Sequence, residues 1–439
     1  MKKGQTSLEY LWMITVAAAI VILASVFLQG MAEKSTTTAT QTHRVKLLCE
    51  LDPTHPDCVP ACAPDTCASL GYECDSWDDG CGGTVDCGPC PLGEDCVDGI
   101  CQPTAPDPCA CADCADCTEK LNDPACDTVR LTVDISDHVG TCINNPAGFN
   151  DKVFDCQSHT MDGDYAGSDY GIRMISKSGN TIRNCAISDF LHGIRVERSS
   201  DSTISGNTLT NMRKLPAWGR GISLDRSSNI VITGNTANNN HNGIHLYQST
   251  GCTITNNEAH DNERGGIKLY YGSGHTVTNN NVDSNTDHGI IVTWSNNNII
   301  TGNEANDIRY GIILETGSSG NTIRNNNANN NRRGITLYHN SDNNVIEEND
   351  ASSNTEWGIR LEDQCSNNHI SNNDFDDNGV YGVYVHDVRS NSNTISSNHV
   401  CGNPTDIRDA DSNSGDGNTC DATDNWKDDS AATDCANPC

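Results

Sequence analysis

The chain has 439 residues, of which 59 are acidic and 27 basic, and its formal net charge at pH 7 is −32. This balance argues against a nucleic-acid-binding protein, because phosphate binding requires a basic surface. The 24 cysteines are typical of a protein exported to oxidising surroundings and argue against a cytosolic one.

The first 32 residues predict a membrane helix. An uncharged, mostly apolar run extends from Tyr10 to Ala32 and is long enough to cross a bilayer. The small residue Gly4 precedes this run, whereas an ordinary secretory signal carries its small cleavage-site residues after the apolar stretch. The start of the chain therefore differs from that of a conventional secretory signal.

The segment Lys2–Tyr10, KKGQTSLEY, resembles the class III signal peptide of archaeal type IV pilin-like proteins. The resemblance implies cleavage between Gly4 and Gln5, which leaves Glu9 near the start of an apolar helix. A carboxylate there is costly unless it meets a cation, and the N-terminal amine of a neighbouring subunit would supply one. We therefore expect the membrane and pilin-like subunits as partners, with the bulk of the chain at the extracellular face of the cell membrane or in a cell-surface filament. The alternative is an unprocessed signal anchor with its N-terminus inside.

Residues 33–48 are predicted to form a Ser/Thr-rich linker, and residues 49–126 a cysteine-rich module. The module contains fifteen cysteines and few aliphatic residues, so it needs disulfides or a metal to hold a fold. Zinc would favour paired Cys-x-x-Cys knuckles, and only Cys87/Cys90, Cys111/Cys114 and Cys114/Cys117 have that spacing. We therefore predict disulfides, and the module serves either as a stiff stalk or as a binding module.

Two registers repeat through the rest of the chain and predict a solenoid of short strands. The dipeptide Gly-Ile or Gly-Val recurs ten times in steps of 22 to 24 residues, with one step of 28, at Gly171, Gly193, Gly221, Gly243, Gly266, Gly289, Gly311, Gly334, Gly358 and Gly382. A second register places Asn three residues after an apolar residue, at Asn207, Asn235, Asn257, Asn280, Asn303, Asn326, Asn349, Asn373 and Asn398. Asn tolerates the left-handed conformation and its amide can bond the Asn of the next coil, so we expect a structural ladder.

These patterns predict an all-β, right-handed parallel β-helix of about ten coils over residues 127–400, with a disulfide-rich C-terminal cap over residues 401–439. Residues 171 to about 400 resemble the right-handed β-helix repeat proteins, which include pectate-lyase-like enzymes and NosD-like periplasmic accessory proteins. The resemblance implies the fold and leaves the reaction open, because one scaffold hosts lyases, hydrolases, adhesins and spacers. Copper is disfavoured, since the chain has six methionines and three lie in the N-terminal segment.

Outward residues of the Gly-Ile register are the candidate site. Strand alternation places the residues two and four positions after Gly on the outside. Glu197 and Asp225 lie there on adjacent coils, so their carboxyl groups would be about 5 Å apart, a separation that suits a retaining glycosidase. A lyase would instead use a base and cations, for which Lys268, His245 and Arg195 are candidates.

The predicted catalytic residues are therefore Glu197, Asp225 and Lys268. The longest step inserts a loop that ends at Trp218, which can overhang this sheet as an aromatic wall. The predicted substrate-binding residues are Trp218, His245, Tyr247, Tyr270, Tyr338 and Tyr384.

Two aspartate-rich stretches are candidate calcium sites, and no other cofactor is predicted. Asp162 and Asp164 form the first pair, and Asp409 and Asp411 the second. Oxygen ligands at alternate positions are the kind that calcium takes.

Together these features predict a surface-anchored extracellular protein that binds polysaccharide through the Gly-Ile register and, as an enzyme, would cleave it as a lyase or a glycoside hydrolase. The alternatives are a non-catalytic adhesin and a structural subunit of a pilus-like filament or the cell envelope.

Overall fold

A computed structural model describes residues 64–91, 94–103, 107–212, 218–410, 413–431 and 435–439. It divides into two compact units, Met1–Pro106 and Asp107–Cys439. The signal sequence with Gly4, Gln5 and Glu9, the predicted helix up to Ala32 and the linker 33–48 lie outside the described residues. Within the described ranges, no helix is long and apolar enough to span a membrane.

The described part of the first unit is a small disulfide-bonded fold. It contains the helix Cys67–Leu70 and two antiparallel strand pairs, Ser76–Asp78 with Thr84–Asp86 and Glu94–Val97 with Ile100–Pro103. Disulfides join Cys67 to Cys87, Cys74 to Cys96 and Cys90 to Cys101. The prediction of disulfides is confirmed here, because the cysteines with zinc-like spacing, Cys87 and Cys90, each bond to a different partner.

The second unit is a right-handed β-solenoid with three faces. The first face, the Gly-Ile sheet, has 13 parallel strands: Ile143–Asn144, Tyr170–Ile175, His192–Glu197, Arg220–Asp225, Asn242–Tyr247, Gly265–Tyr270, His288–Thr293, Tyr310–Glu315, Arg333–Tyr338, Trp357–Glu362, Tyr381–Val385, Thr405–Arg408 and Thr423–Asp424.

The second face, the Thr sheet, is rich in outward Thr and also has 13 parallel strands: Ala110–Cys111, Thr128–Leu131, Val153–Asp155, Thr181–Arg183, Thr203–Ser205, Val231–Thr233, Thr253–Thr255, Thr276–Thr278, Ile299–Thr301, Thr322–Arg324, Val345–Glu347, His369–Ser371 and Thr394–Ser396. The third face begins with four strands and continues as isolated parallel bridges from Thr208 to Asn437. Its strands are Ile135–His138, Thr160–Gly163, Ala186–Ser188 and Thr208–Thr210.

The solenoid is longer than the sequence predicted. Each long sheet has 13 strands, which corresponds to about 13 coils, so the prediction of about ten was wrong. The additional coils lack the Gly-Ile dipeptide. They form around Ile143–Asn144 at one end and around Thr405–Arg408 and Thr423–Asp424 at the other.

Stacked aliphatic residues fill the interior, and the recurring glycine is a packing requirement. Ile194, Ile222 and Ile244 occupy one register on successive coils and are fully buried. An added Cβ at Gly243 would lie 2.8 Å from the carbonyl oxygen of Gly266 and 2.9 Å from the Cβ of Ala259. Only glycine fits there because the backbone of the next coil is too close for a side chain.

The predicted asparagine ladder is confirmed. Nδ2 of Asn257 donates to Oδ1 of Asn280 at 2.9 Å and to the carbonyl oxygen of Ile232 at 2.9 Å. The left-handed conformation belongs to the preceding residue, however, as at Asn256 and Asn279. The ladder asparagines themselves are buried, so the ladder satisfies backbone groups in the interior.

Two further ladders were not identified from the sequence. They run on the other turns of the coil. One uses the same amide-to-amide contacts, through Asn298, Asn321, Asn344, Asn368 and Asn393. In the other, the backbone N–H of each Asn donates to Oδ1 of the Asn on the next coil, through Asn331, Asn354, Asn378 and Asn403.

Disulfides and a helix close the first coils. The helix Cys114–Asn122 begins at the N-cap Asp113, whose carboxylate accepts two backbone N–H groups. Residues 107–126, which the sequence grouped with the cysteine-rich module, fold with the solenoid. The reason is that the strand Ala110–Cys111 joins the Thr sheet, and a disulfide joins Cys114 to Cys142.

The remaining disulfides of the solenoid stabilise its ends. They pair Cys109 with Cys126, Cys111 with Cys117, Cys156 with Cys185, Cys401 with Cys439 and Cys420 with Cys435. The last two bonds cross-link the final coils, in the segment 401–439 for which the sequence predicts a disulfide-rich cap.

Candidate functional site

Three outward registers of the Gly-Ile sheet enclose a groove that runs across the coils. The floor is formed by the residues two positions after each Gly: Arg195, Ser223, His245, Lys268, Ile291, Ile313, Thr336 and Arg360. One wall consists of the residues before each Gly, and the other of the residues four positions after it. The walls cover the floor, so that His245 is only 5% and Ser223 0% exposed.

The groove contains two cavities that share Arg264 and Lys268. The first, about 320 Å³, we name the basic subsite; it is lined by Arg195, Trp218, Arg220, Asp225, Asn242, His245, Tyr247, Arg264, Lys268 and Tyr270. The second, about 390 Å³, we name the isoleucine subsite; it is lined by Arg264, Lys268, Asp287, His288, Ile291, Arg309, Tyr310, Ile313, Glu315, Arg333, Thr336, Tyr338 and Glu362.

Two guanidinium groups converge on one hydroxyl in the basic subsite. Arg195 donates to Oγ of Ser223 at 2.8 Å, and Arg220 donates to the same oxygen at 3.3 Å. Burial, together with the charge of Arg195, lowers the pKa of Arg220 to about 10. Nε of Arg220 has no hydrogen-bond partner among the described residues. Arg195 also pairs with Asp225 at 2.8 Å, so Arg220 is the guanidinium of the two that has no carboxylate partner among the described residues and can attract an anion.

Two buried histidines lie next to these arginines, and their surroundings disfavour the protonated form. Burial and the charges of Arg220 and Arg195 hold the pKa of His192 well below 6.5, and its Nδ1 accepts the backbone N–H of Arg220 at 3.2 Å. Burial and the charges of Arg220 and Lys268 do the same to the pKa of His245. Nδ1 of His245 has no partner within the described part of the chain.

Lys268 lies at the junction of the two subsites. Burial, and then the charge of Arg264, lowers its pKa from the usual 10.5. Its Nζ lies 4.9 Å from the centre of the Tyr270 ring, a cation–π contact. A half-buried ammonium with a lowered pKa suits either charge pairing with a ligand or proton transfer.

The predicted carboxylate pair lies together but is held by arginines. Glu197 and Asp225 are register partners on neighbouring strands. Glu197 accepts from Arg173 at 3.0 Å, and Arg195 pairs with Asp225 at 2.8 Å. Burial alone would raise the pKa of Glu197, but the bond from Arg173 and the charge of Arg195 lower it. A general acid needs a raised pKa, so this geometry favours positioning of the arginines over acid catalysis.

Aromatic side chains border the basic subsite. The Tyr247 and Tyr270 rings lie side by side on adjacent coils, with centroids 5.6 Å apart. Trp218 is 49% exposed, and the guanidinium carbon of Arg264 lies 5.5 Å from its ring centre. The structure thus brings together Trp218, Tyr247 and Tyr270 with the basic residues of this subsite.

The other two predicted aromatics lie farther along the sheet. Tyr338 borders the isoleucine subsite, whereas Tyr384 lines neither cavity. Tyr384 stacks on Tyr381 at 4.5 Å, and Arg360 and Arg408 lie over its ring.

The floor of the isoleucine subsite is apolar although it faces outwards. Ile291 and Ile313 are 4% and 6% exposed and line the cavity. Thr336 continues this floor, and its Oγ1 has no partner among the described residues. On the wall, Nδ1 of His288 is also without a partner there.

Sequence reasoning missed the wall residues Arg220 and His192 and the loop residue Arg264. His192 and Arg220 directly precede the glycine of a Gly-Ile dipeptide, and Arg264 directly precedes a strand of the same sheet. This position was the only feature of the sequence that could have pointed to them. Arg220 and His192 are the first residues of their strands, and Arg264 lies in a turn. Alternation does not fix the direction of a side chain at these positions, so their convergence over the floor was not predictable.

The candidate calcium residues have protein partners in the described structure. Asp162 accepts from the hydroxyl of Ser188, and Asp164 accepts the backbone N–H of Ala166. Asp409 accepts from the amide of Asn413, and Asp411 lies outside the described residues. The calcium assignment stays a prediction from the sequence.

Two family models match overlapping parts of the chain. The right handed beta helix region matches residues 147–305, and the periplasmic copper-binding protein (NosD) matches residues 262–428. No curated protein matches the chain.

The structure is similar to solved β-helix structures at low sequence identity. The A-module of the mannuronan C-5 epimerase AlgE6 of Azotobacter vinelandii is 14% identical, with a TM-score of 0.58 over 73% of this chain and 97% of that chain. A double mutant of the periplasmic alginate epimerase AlgG is 18% identical, with a TM-score of 0.49 over 71% and 76%. An exopolygalacturonase from Thermotoga maritima is 13% identical, with a TM-score of 0.47 over 70% and 85%. The first of these likenesses supports the β-helix fold.

The residues present do not fit a copper site. Copper prefers Cys, Met and His ligands. Every described cluster of three potential ligands contains a disulfide-bonded cysteine, as in Cys114, His138 and Cys142. The free cysteines of the described residues, Cys252 and Cys365, are buried, and burial raises the pKa of their thiols to about 11 and about 12.

Proposed function

We propose that this protein is an exported β-helix protein that binds an anionic polysaccharide along the groove of the Gly-Ile sheet. The observation that carries the proposal is the concentration of Arg195, Arg220, Arg264 and Lys268 in one subsite of a chain with a net charge of −32. Such a local reversal of charge attracts a ligand rich in carboxylate or sulfate groups.

The groove also has the shape and aromatic content that a sugar chain needs. Coils stack about 4.8 Å apart, a spacing similar to the length of one sugar unit, so successive sugars can meet equivalent positions on successive coils. The faces of Tyr247, Tyr270 and Trp218 can stack on the apolar faces of sugar rings. The similar structures carry the names of polysaccharide-modifying enzymes, but their likeness is one of fold, so the proposal rests on these side chains.

The charge component is tested by replacing one groove arginine. Arg220→Gln should weaken binding of polygalacturonate about tenfold, because a half-buried cation that would pair with a carboxylate of the polymer is lost. Arg324→Gln on the Thr sheet is the control, since Arg324 is exposed and pairs with Glu348. Equal affinities of the two variants and the wild type in titration calorimetry would contradict the proposal.

The aromatic component is tested by a paired substitution on each sheet. Replacing both Tyr247 and Tyr270 by Ala should abolish retention of the protein on immobilised acidic polysaccharide. Replacing both Thr255 and Thr278 by Ala on the Thr sheet should leave retention unchanged. Failure of the wild type to bind any glycan would leave the structural-subunit function as the better account.

A second candidate function is cleavage by β-elimination, which the neutral His245 beside Lys268 favours. A base would take the proton at C5 of a uronate. The electron pair would form the C4=C5 bond as the C4–O bond breaks, and a proton would go to the leaving oxygen. Arg220 would hold the carboxylate. Release of unsaturated ends, lost in His245→Gln, would support elimination; reducing ends without unsaturation, lost in Asp225→Asn, would point to hydrolysis.

We also propose that the chain is attached to the cell surface through its N-terminal segment, as the resemblance to pilin-like signal sequences implies. The disulfides in both units support an oxidising location outside the cytoplasm. Sequencing of the native N-terminus should find Gln5 as the first residue. A mature start beyond Ala32 or an intact Met1 would contradict processing of the pilin-like kind.

A further inference from the structure

We propose that the isoleucine subsite binds the acetyl group of an acetylated sugar in the bound chain. This inference rests on the proposed function, because it assigns a second position in the same groove. It goes further by naming the chemical substituent that this position recognises.

The first observation is the apolar floor. Ile291 and Ile313 occupy an outward register that elsewhere carries Arg195, His245 and Lys268. Both isoleucines therefore face the cavity and not the interior of the solenoid. Solvation of the sheet surface does not require isoleucine there. A methyl group of the ligand placed on this floor would bury apolar surface on both sides.

The second observation is an unpartnered hydroxyl at the end of this floor. Thr336 is only 4% exposed, lines the cavity, and has an Oγ1 without a partner among the described residues. A buried hydroxyl without a partner is costly, and a ligand carbonyl that accepts its proton would relieve that cost. A methyl group next to a carbonyl is the composition of an acetyl group.

The isoleucine subsite differs from the basic subsite in the charge of its floor. Between Lys268 and Arg360 the floor carries no charge, and Glu315 stands on the wall, where its Oε1 accepts from Thr293 at 3.0 Å. Two arginines that line this cavity are already paired with carboxylates, Arg309 with Asp287 at 3.2 Å and Arg333 with Glu356 at 2.8 Å. A carboxylate of the ligand on the isoleucine floor would therefore meet apolar side chains and Glu315, with these two cations already neutralised. The geometry assigns anionic sugars to the basic subsite and a neutral, acetylated sugar to the isoleucine subsite.

The test compares matched polymers with and without acetyl groups. The O-acetyl arm uses acetylated and alkali-deacetylated polygalacturonate, and the N-acetyl arm uses hyaluronan oligosaccharides before and after chemical N-deacetylation. In at least one arm the wild type should bind the acetylated form about tenfold more tightly, through methyl burial and one hydrogen bond. The arm that shows the preference identifies the linkage of the acetyl group.

Two variants locate the preference. Thr336→Val removes the hydroxyl at nearly constant volume, and Ile313→Thr gives the floor the residue of the next coil. Each should weaken binding of the acetylated form more than binding of the deacetylated form, so that the preference falls by about threefold or more. Thr278→Val on the Thr sheet is the matched control and should keep the full preference.

Three outcomes distinguish the two proposals. Equal wild-type affinity for acetylated and deacetylated forms in both arms would overturn the inference and leave anionic binding intact. A preference that survives in Thr336→Val and Ile313→Thr, with circular dichroism showing folded variants, would also overturn it. Absence of binding to every polymer would instead contradict the proposed function itself.

Discussion

At the scale of single residues, His275 shows how a side chain can replace a ladder asparagine. Its ring Nδ1 accepts the backbone N–H of Cys252 at 3.2 Å, and the backbone N–H of His275 donates to Oδ1 of Asn298 at 2.9 Å. The ring fits because Gly272 stands where neighbouring coils have serine; an added Cβ there would lie 2.5 Å from Nε2 of His275. Burial lowers the pKa of His275 from 6.5 to about 4.

The histidine at this ladder position makes the stability of one coil sensitive to acid. Between pH 6.5 and about 4 the unfolded chain binds a proton at this histidine and the native chain does not, so stability falls as the pH falls through that range. The double variant Gly272→Ser/His275→Asn, which restores the residues of the next coil, should lack this loss. Urea unfolding at pH 7.5 and pH 4.5 should show the wild type losing on the order of 2 kcal/mol more than the variant. An identical pH dependence of both proteins would contradict this account.

At the scale of elements, each asparagine ladder ends on an aspartate near the C-terminal end. Asp409, Asp406 and Asp428 accept from Asn413, Asn403 and Asn418, respectively. A carboxylate is suited to this position because it has only acceptors and the last ladder residue offers donors. The aspartate-rich C-terminal segment is thus explained in part by closure of the ladders.

Removal of one such aspartate should open the end of the solenoid. Asp428 is fully buried and also accepts from Nε1 of Trp426 at 3.1 Å and the backbone N–H of Ala436 at 2.8 Å. Asp428→Leu should lower the free energy of unfolding by about 2–4 kcal/mol, because several buried donors lose their acceptor. Asp429→Ala is the control, since Asp429 is exposed. Thermal unfolding of both variants provides the comparison, and equal stability would contradict the closure role.

The repeat made the fold predictable, and the same regularity limited what the sequence could say about the site. Gly243 and Asn257 stand in registers that fix the strand positions and the interior. Arg220 is the first residue of its strand, and Arg264 lies in the turn before the strand Gly265–Tyr270. Period-two alternation does not fix the direction of the side chain at either position. Asp409 was predicted as a calcium ligand from local spacing, yet its carboxylate accepts from Asn413, a contact that only the closed coil reveals.

At the scale of the whole molecule, two units depend on different forces. The described part of the first unit has no fully buried aliphatic residue and relies on its disulfides, whereas the second unit buries an aliphatic column along its whole length. Dithiothreitol should therefore make residues 64–103 sensitive to protease while a fragment beginning near Asp107 survives. Mass spectrometry of the digests checks this outcome. Resistance of the first unit under reduction, with loss on adding a chelator, would indicate a metal instead.

The net charge of −32 does not show how the charged residues are distributed over the molecule. The Gly-Ile sheet carries a basic subsite in a chain whose net charge is −32, and the anionic remainder would repel an anionic polymer. Binding should therefore be confined to the Gly-Ile sheet.

A crystal structure of the protein with a bound uronate oligosaccharide tests this central claim most directly. The account predicts a sugar chain that runs across the coils in the groove, with a carboxylate at Arg220 and Lys268 and rings on Tyr247 and Tyr270. A chain bound on the Thr sheet or the third face, with the groove unchanged, would contradict it.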